Sequence, residues 1–178
     1  MAEPLTTAEL KAQLRKTTTD EDSLIASYGV AAREWCEQYT GHILVQREVE
    51  DTFGAWGDYL TLYHQPITVG DPTPTLTVEY TDDEGDFIEY EARVIRDFKY
   101  PWTIHPPFGF SFPSLGGPAT IKATYTAGYA NAAAVPEKFK WAIKLLVASM
   151  YASRGTITPE TEEAVRFILR SYRGAVLA

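Results

Sequence analysis

The chain has 178 residues, 45% of them hydrophobic and 22% charged, with 16 basic against 24 acidic side chains and a formal net charge of −8. That composition suits one domain with an elaborated insertion, and its acidic balance argues against a DNA-coating surface, which needs an excess of Lys and Arg. A single cysteine, Cys36, excludes an intramolecular disulfide and any fold that depends on one.

The first residues, MAEPLTTAELKAQLRK, lack the apolar run of a signal peptide. Leu10 and Leu14 mark a short first helix. In the next helical stretch, Thr19 is the expected N-cap, with Asp20, Glu21 and Asp22 in the first turn, where the helix dipole favours acids. Leu24, Tyr28, Ala31, Trp35 and Tyr39 form its apolar stripe, widened by Ile25, Ala32 and Cys36. Gly41 stands where a C-terminal cap belongs.

From Ile43 the apolar period changes to two. Ile43, Val45, Val49 and Phe53 share one side of a strand, with Arg47 and Asp51 as exceptions. Leu60 and Leu62 form a second strand, stopped by Pro66. "LTVEY" and "FIEYEARVI" flank the turn "TDDEGD", which reads as a hairpin. The stretch 100–121 carries no Lys, Arg, Asp or Glu, but Pro101, Pro106, Pro107, Pro113 and Pro118 forbid a membrane-spanning helix within it. The chain therefore reads as soluble and cytoplasmic in origin. Its segment "PPFGFSFPSLGG" alternates Phe108, Phe110 and Phe112, either as a lid on the sheet or as an interface arm. "ATIKATYT" is the last strand.

After Pro136, taken as the first helical residue, Phe139, Ile143, Leu146, Val147 and Met150 form one stripe and Trp141, Leu145 and Ala148 a second. A helix apolar on two sides is buried on both or shared between subunits. Thr158 and Pro159 open the last helix as N-cap and N1, and Val165, Ile168, Leu169 and Tyr172 are its stripe. The expected fold class is α+β. A small α-helical bundle from the N- and C-terminal helices (about 7–40 and 136–173) carries an inserted antiparallel β region (about 43–127), with a tail at 174–178.

Chemistry is sparse. His42, His64 and His105 are scattered without metal-ligand spacing, and Cys36 lies within an apolar stripe, as a small buried hydrophobe does. The run Asp82, Asp83, Glu84, Asp86 has its glycine at the wrong offset for a calcium loop and reads as a solvated hairpin tip. "TYTAGYANAAAVP" has one glycine and no Gly-Lys-Ser/Thr element, so it lacks the donors of a phosphate loop and reads as a joint. Glu162 and Arg166 pair at i,i+4 on the last helix. Lys138 and Lys140 oppose the dipole near a helix N-terminus, and either a carboxylate from a neighbouring subunit or plain solvent exposure accounts for them.

The order and spacing of "EQYTG", "LTLYHQPI", "LTVEYTDDEGDFI", "YTAGY", "VPEKFKWAIKLLVASMYASRG" and "ILRSYR" resemble the head–tail connector (adaptor) proteins of long-tailed phages and gene transfer agents, over about residues 10–173. The resemblance implies a helical bundle with an inserted β region, no catalytic site and no cofactor. It implies a homo-oligomeric ring, a dodecamer, assembled in the host cytoplasm and placed at the virion neck beneath the portal protein. Such a ring extends the channel through which packaged DNA passes without specific binding, and it offers a surface to the stopper, head-closure or tail protein; it makes no membrane contact. Carried onto this chain, the candidates for portal contact are Arg166, Arg170, Tyr172, Arg173, Val176 and Leu177. Lys138, Lys140, Phe108, Phe110 and Phe112 are candidates for inter-subunit or tail-side contact. The alternatives are a stopper or tail-completion protein of the same neck, or a small metal- or carbohydrate-handling enzyme using the acidic hairpin.

Overall fold

The computed structural model describes residues 3–67, 76–82, 84–95, 102–115 and 120–173. Asp83 and the tail 174–178, with Val176 and Leu177, lie outside them. The described residues divide into a helical unit, 3–46 with 129–173, and a β unit, 47–128.

The helical unit contains α1 (Thr7–Leu14), α2 (Asp22–Thr40), α3 (Glu137–Ala152) and α4 (Pro159–Leu169). α1 opens on a capping box: Thr6 Oγ1 accepts from the Glu9 amide at 3.2 Å, and the Glu9 carboxylate accepts from the Thr6 amide at 2.7 Å. α2 starts later than the sequence predicts. Thr19 accepts a turn bond from the Asp22 amide through its backbone carbonyl, and Glu21 occupies the N-cap position without a side-chain cap bond. The acids are held by tertiary contacts instead: Glu21 accepts from the Tyr151 hydroxyl at 2.6 Å and pairs with Lys16, and Asp22 pairs with Lys11.

The apolar stripe of α2 also turns relative to expectation. Ile25, Ala32 and Cys36 are its fully buried residues, whereas Leu24 is 41% exposed and Ala31 faces solvent. Tyr28, Trp35 and Tyr39 form the half-buried border. α3 supplies the centre of the core with Phe139, Ile143, Leu146, Val147 and Met150, joined by Val165 and Leu169 of α4. Its second stripe is covered in part: Leu145 packs against the core and Ala148 is half-buried, whereas Trp141 is 52% exposed. Pro136 is the residue before the helix rather than its first, and the alanines ahead of it form a 3-10 turn, Ala132–Ala134, capped by the Asn131 side chain at 3.0 Å. Thr158 and Pro159 open α4 as the sequence predicts.

The β unit holds two antiparallel sheets. The first has the order β1 (Arg47–Phe53), β7 (Ile121–Ala127), β3 (Leu76–Thr81), β4 (Phe87–Tyr90). The second has the order β2 (Leu60–Thr61), β6 (Thr103–His105), β5 (Arg93–Ile95). The expected single strand "FIEYEARVI" is thus two strands in different sheets, broken at Glu91 and Ala92. β4 pairs with β3, but Phe87 and Ile88 both stay exposed, so this edge has no buried face to prolong it. β6 was not legible in the Pro-rich stretch, although Trp102 and Ile104 beside and within it are buried. β7 alternates perfectly, with Ile121, Ala123, Tyr125 and Ala127 inward.

Asp51, an apparent exception in β1, is 3% exposed and organises the β unit. Its Oδ2 accepts from the Tyr125 hydroxyl at 2.6 Å and from the Tyr63 amide at 2.7 Å, and its Oδ1 lies 2.7 Å from His64 Nδ1. The Tyr125 hydroxyl also accepts from the His64 amide at 3.0 Å. Burial, with the Asp51 carboxylate beside it, pushes the Tyr125 phenol up. A buried carboxylate persists only when its lone pairs are filled, and here they pin residues 63 and 64 to the sheet. Asp51→Ala strands the tyrosine hydroxyl and the Tyr63 amide. It is expected to cost about 3 kcal/mol, read as a lowered urea midpoint, with Asp51→Asn retaining part of the loss.

Candidate interaction surface

α4 is strongly amphipathic, with acids at its start and arginines towards its end, as the dipole favours. Arg166 and Arg173 are seven residues apart and fall on one side. Both guanidinium carbons lie 5.4 Å from the centre of the Tyr39 ring, on α2. The Tyr39 hydroxyl donates to the Arg166 carbonyl at 3.5 Å, and its ring stacks on Trp35 at 5.4 Å. Arg166 also donates to Glu162 at 2.6 Å. Arg170 lies 4.3 Å over Phe167, which is 64% exposed. Cations over aromatic faces keep their charge while their flat sides are held.

Tyr172 takes another role. Its ring packs at 4.7 Å on Phe139 and edge-on at 5.5 Å on His42, with the Lys138 amine 5.8 Å above it. It seats the chain after α4 rather than projecting from it. Lys140 is satisfied on its own helix: its amine lies 2.7 Å from Glu137, so no neighbouring carboxylate is needed to account for it. The structure therefore brings Arg166, Arg170, Arg173, Tyr172 and Lys138 to one edge of the helical unit and sets Lys140 apart as an internal pair. Sequence reasoning missed Tyr39, Trp35 and Phe167 there. The tyrosine that Arg166 and Arg173 share lies on a helix distant in sequence, so no local pattern pointed to it.

In the β unit, the 106–115 arm puts one of its three rings on neighbouring aromatic side chains and leaves the other two exposed. Phe112 stacks flat on Trp56, with centroids 4.4 Å apart and planes 5° apart, and meets Tyr90 at 5.8 Å. Phe108 and Phe110 remain 81% and 73% exposed. They flank a turn closed by a Phe110 amide to Pro107 carbonyl bond of 3.1 Å, and Gly109 supplies the φ of 82° that this turn requires.

The acidic hairpin closes on itself, since Asp82 Oδ1 accepts from the amides of Glu84 and Asp86, each at 2.9 Å. Among the described residues no group of three His, Cys, Asp or Glu side chains could hold a metal ion. His64 contacts Asp51, His105 contacts Thr103, and His42 is buried among aromatic rings. Charge divides sharply between the units. The segment 47–128 has 13 acidic and 5 basic residues and so carries the entire −8, while the remainder is balanced.

An arginine row held on aromatic rings, beside an exposed phenylalanine, is suited to a carboxylate-bearing protein surface. That chemistry defines an α+β protein with a candidate protein-docking edge. No protein-family model matches the chain, and no curated protein matches it. Solved structures do. A chain from the neck of an empty GTA particle, with C6 symmetry, aligns at 26% identity and a TM-score of 0.77, covering 100% of this chain and 95% of that one. A chain from the virion of a native gene transfer agent (GTA) particle aligns at 24% identity and 0.73, covering 98% and 92%. Another, from the neck of a native GTA particle with C12 symmetry, aligns at 24% and 0.71, covering 100% and 94%. The chain thus shares, over its whole length, the fold of neck chains of gene transfer agents, in agreement with the connector family its sequence resembles.

His42 supports this edge from beneath, and burial holds its imidazole neutral, lowering its pKa from 6.5 to about 4. The unfolded chain binds the proton below pH 6.5 while the folded chain does not until about 4. Stability is therefore expected to fall on acidification through that window, by about 1.4 kcal/mol per pH unit at most. Thermal melts from pH 7 to 4 test this; His42→Phe should flatten the slope.

Proposed function

We propose that this chain is a structural neck protein, an adaptor that forms a ring beneath the portal, extends the DNA channel and offers a docking surface to stopper or tail components. The observation that carries the reading is the agreement of the whole fold with GTA neck chains, at a TM-score of 0.77 and 26% identity. The C6 and C12 symmetries of those necks support a homo-oligomeric ring. Location in the virion neck, after assembly in the host cytoplasm, follows from the same reading.

Two physical features support the finer roles. The Arg166, Arg170 and Arg173 row, with Tyr172 seated behind it and the tail beyond, is the portal-contacting edge in this reading. The β unit, holding the whole negative charge, suits a wall past which DNA slides with little adhesion, because like charges repel at short range within the screening length.

Arg170→Glu combined with Arg173→Glu is the direct test. The variant should keep its circular dichroism and melting temperature, because both side chains are exposed. It should lose at least tenfold in affinity for portal, measured by sedimentation and by negative-stain images of portal mixed with the chain. Removal of 174–178 should act in the same direction. Undiminished decoration of portal by these variants would overturn the assignment of this edge, and failure of the unaltered chain to bind portal would favour a stopper role.

A further inference from the structure

A ring of more than two copies is closed by heterologous contacts, in which two different patches of the same chain fit each other. The chain carries an exposed Phe108–Phe110 turn and, in its helical unit, a pocket. The pocket lies between α1, α2 and α3, has a volume of about 190 Å³, and is lined by Pro4, Leu5, Leu10, Gly29, Val30 and Ile143 among others. A cavity of about 150 Å³ walled by aliphatic side chains accepts a benzene ring, so this one has room for a phenylalanine ring. Gly29 lets Leu10 of α1 pack close against α2 in its wall, since a Cβ there would stand 2.8 Å from Leu10 Cδ1.

The β unit supplies an unoccupied ring. Phe110 is 73% exposed on a closed turn whose base is clamped by the Trp56–Phe112 stack. A pre-shaped turn loses little conformational freedom on docking. The Arg93 guanidinium lies 3.5 Å from the Phe108 ring, and its Nε is buried without a hydrogen-bond partner. The rim of the pocket carries Glu3, whose carboxylate already accepts from Arg33 Nε at 2.9 Å.

Resting on the ring reading above, we propose that Phe110 of one copy seats in the α1–α2–α3 pocket of the next, with Phe108 at its rim. The occupant of the pocket is thus a second copy of this chain. Each copy offers one knob and one pocket, so the contact propagates round a ring without pairing off into closed dimers.

The test is self-association of the full chain, free and on portal, by sedimentation velocity and imaging. Phe110→Asp removes the knob from an exposed turn and Val30→Trp fills the pocket; each should weaken assembly at least tenfold. A mixture of the two variants should stop at dimers, because one sound knob and one sound pocket remain between them. Should Val30→Trp fail to fold, Ala26→Cys with Ser111→Cys, which keeps the Phe110 ring, offers a second route: a bismaleimide should link the turn of one copy to the pocket of another. Rings that form despite Phe110→Asp, or absent cross-links within assembled rings, overturn the knob and pocket while leaving the ring reading intact. A chain that stays monomeric both alone and with portal overturns both.

Discussion

The fold depends on closing a long excursion of the chain. α2 and α3 build one hydrophobic core, yet the whole β unit lies between them in sequence. The antiparallel pairing of β1 with β7 resolves this, because its register sets Arg47 opposite Ala127 and so brings both ends of the insertion to one place. On the helical side the same closure is visible: the Tyr129 hydroxyl lies 3.5 Å from the His42 ring, and Leu44 donates its amide to Glu37 at 2.7 Å. Once the ends meet, the entropy of the intervening segment rises only slowly with its length. Each unit can then bury its own core, as inserted domains do.

The same division separates electrical roles. Charges near one another within a unit act through less than a screening length, whereas a balanced unit exerts little field at distance. Concentrating the −8 in residues 47–128 leaves the helical unit free to carry an arginine row without neutralising it through its own net charge. Arg166 does spend part of its capacity on Glu162, and that exposed i,i+4 pair contributes little to stability. Arg170 and Arg173 have only aromatic faces beneath them among the described residues, an arrangement that orders the side chains while leaving their donors available.

Helices were legible where periodicity and caps agreed, as with Thr158–Pro159 and Gly41, because those signals are local. α2 shows the limit: two adjacent apolar stripes are present, and which one is buried depends on where α1, α3 and α4 lie. In the β unit, alternation identified β7 because one face of that central strand is buried throughout. It failed at "FIEYEARVI", where an exposed edge strand imposes no face, and at β6, too short for a period to register. Asp51 read as a break in a pattern, although it is the most tightly bound inward residue of its strand. Its partners come from Tyr63, His64 and Tyr125, and such a polar cluster is a property of the fold. The joint "TYTAGYANAAAVP" read correctly as a connection, while the Asn131 cap that curls its alanines into a turn was overlooked.

Three titratable side chains, Cys36, His42 and Tyr125, are committed to packing. Burial pushes the Cys36 thiol up to about 12, away from the thiolate that a nucleophile requires. The His42 imidazole is driven down to about 4, below the range in which a general acid–base works near neutral pH. Tyr125 is shifted further from ionisation by the carboxylate it binds. Catalytic sites shift such groups towards the working pH, and each of these is shifted away from it. Among the described residues, the exposed aromatic rings include Phe108, Phe110, Trp141 and Phe167, with arginines over two of them. Large aromatic rings and guanidinium groups gain free energy mainly when another protein surface removes them from water.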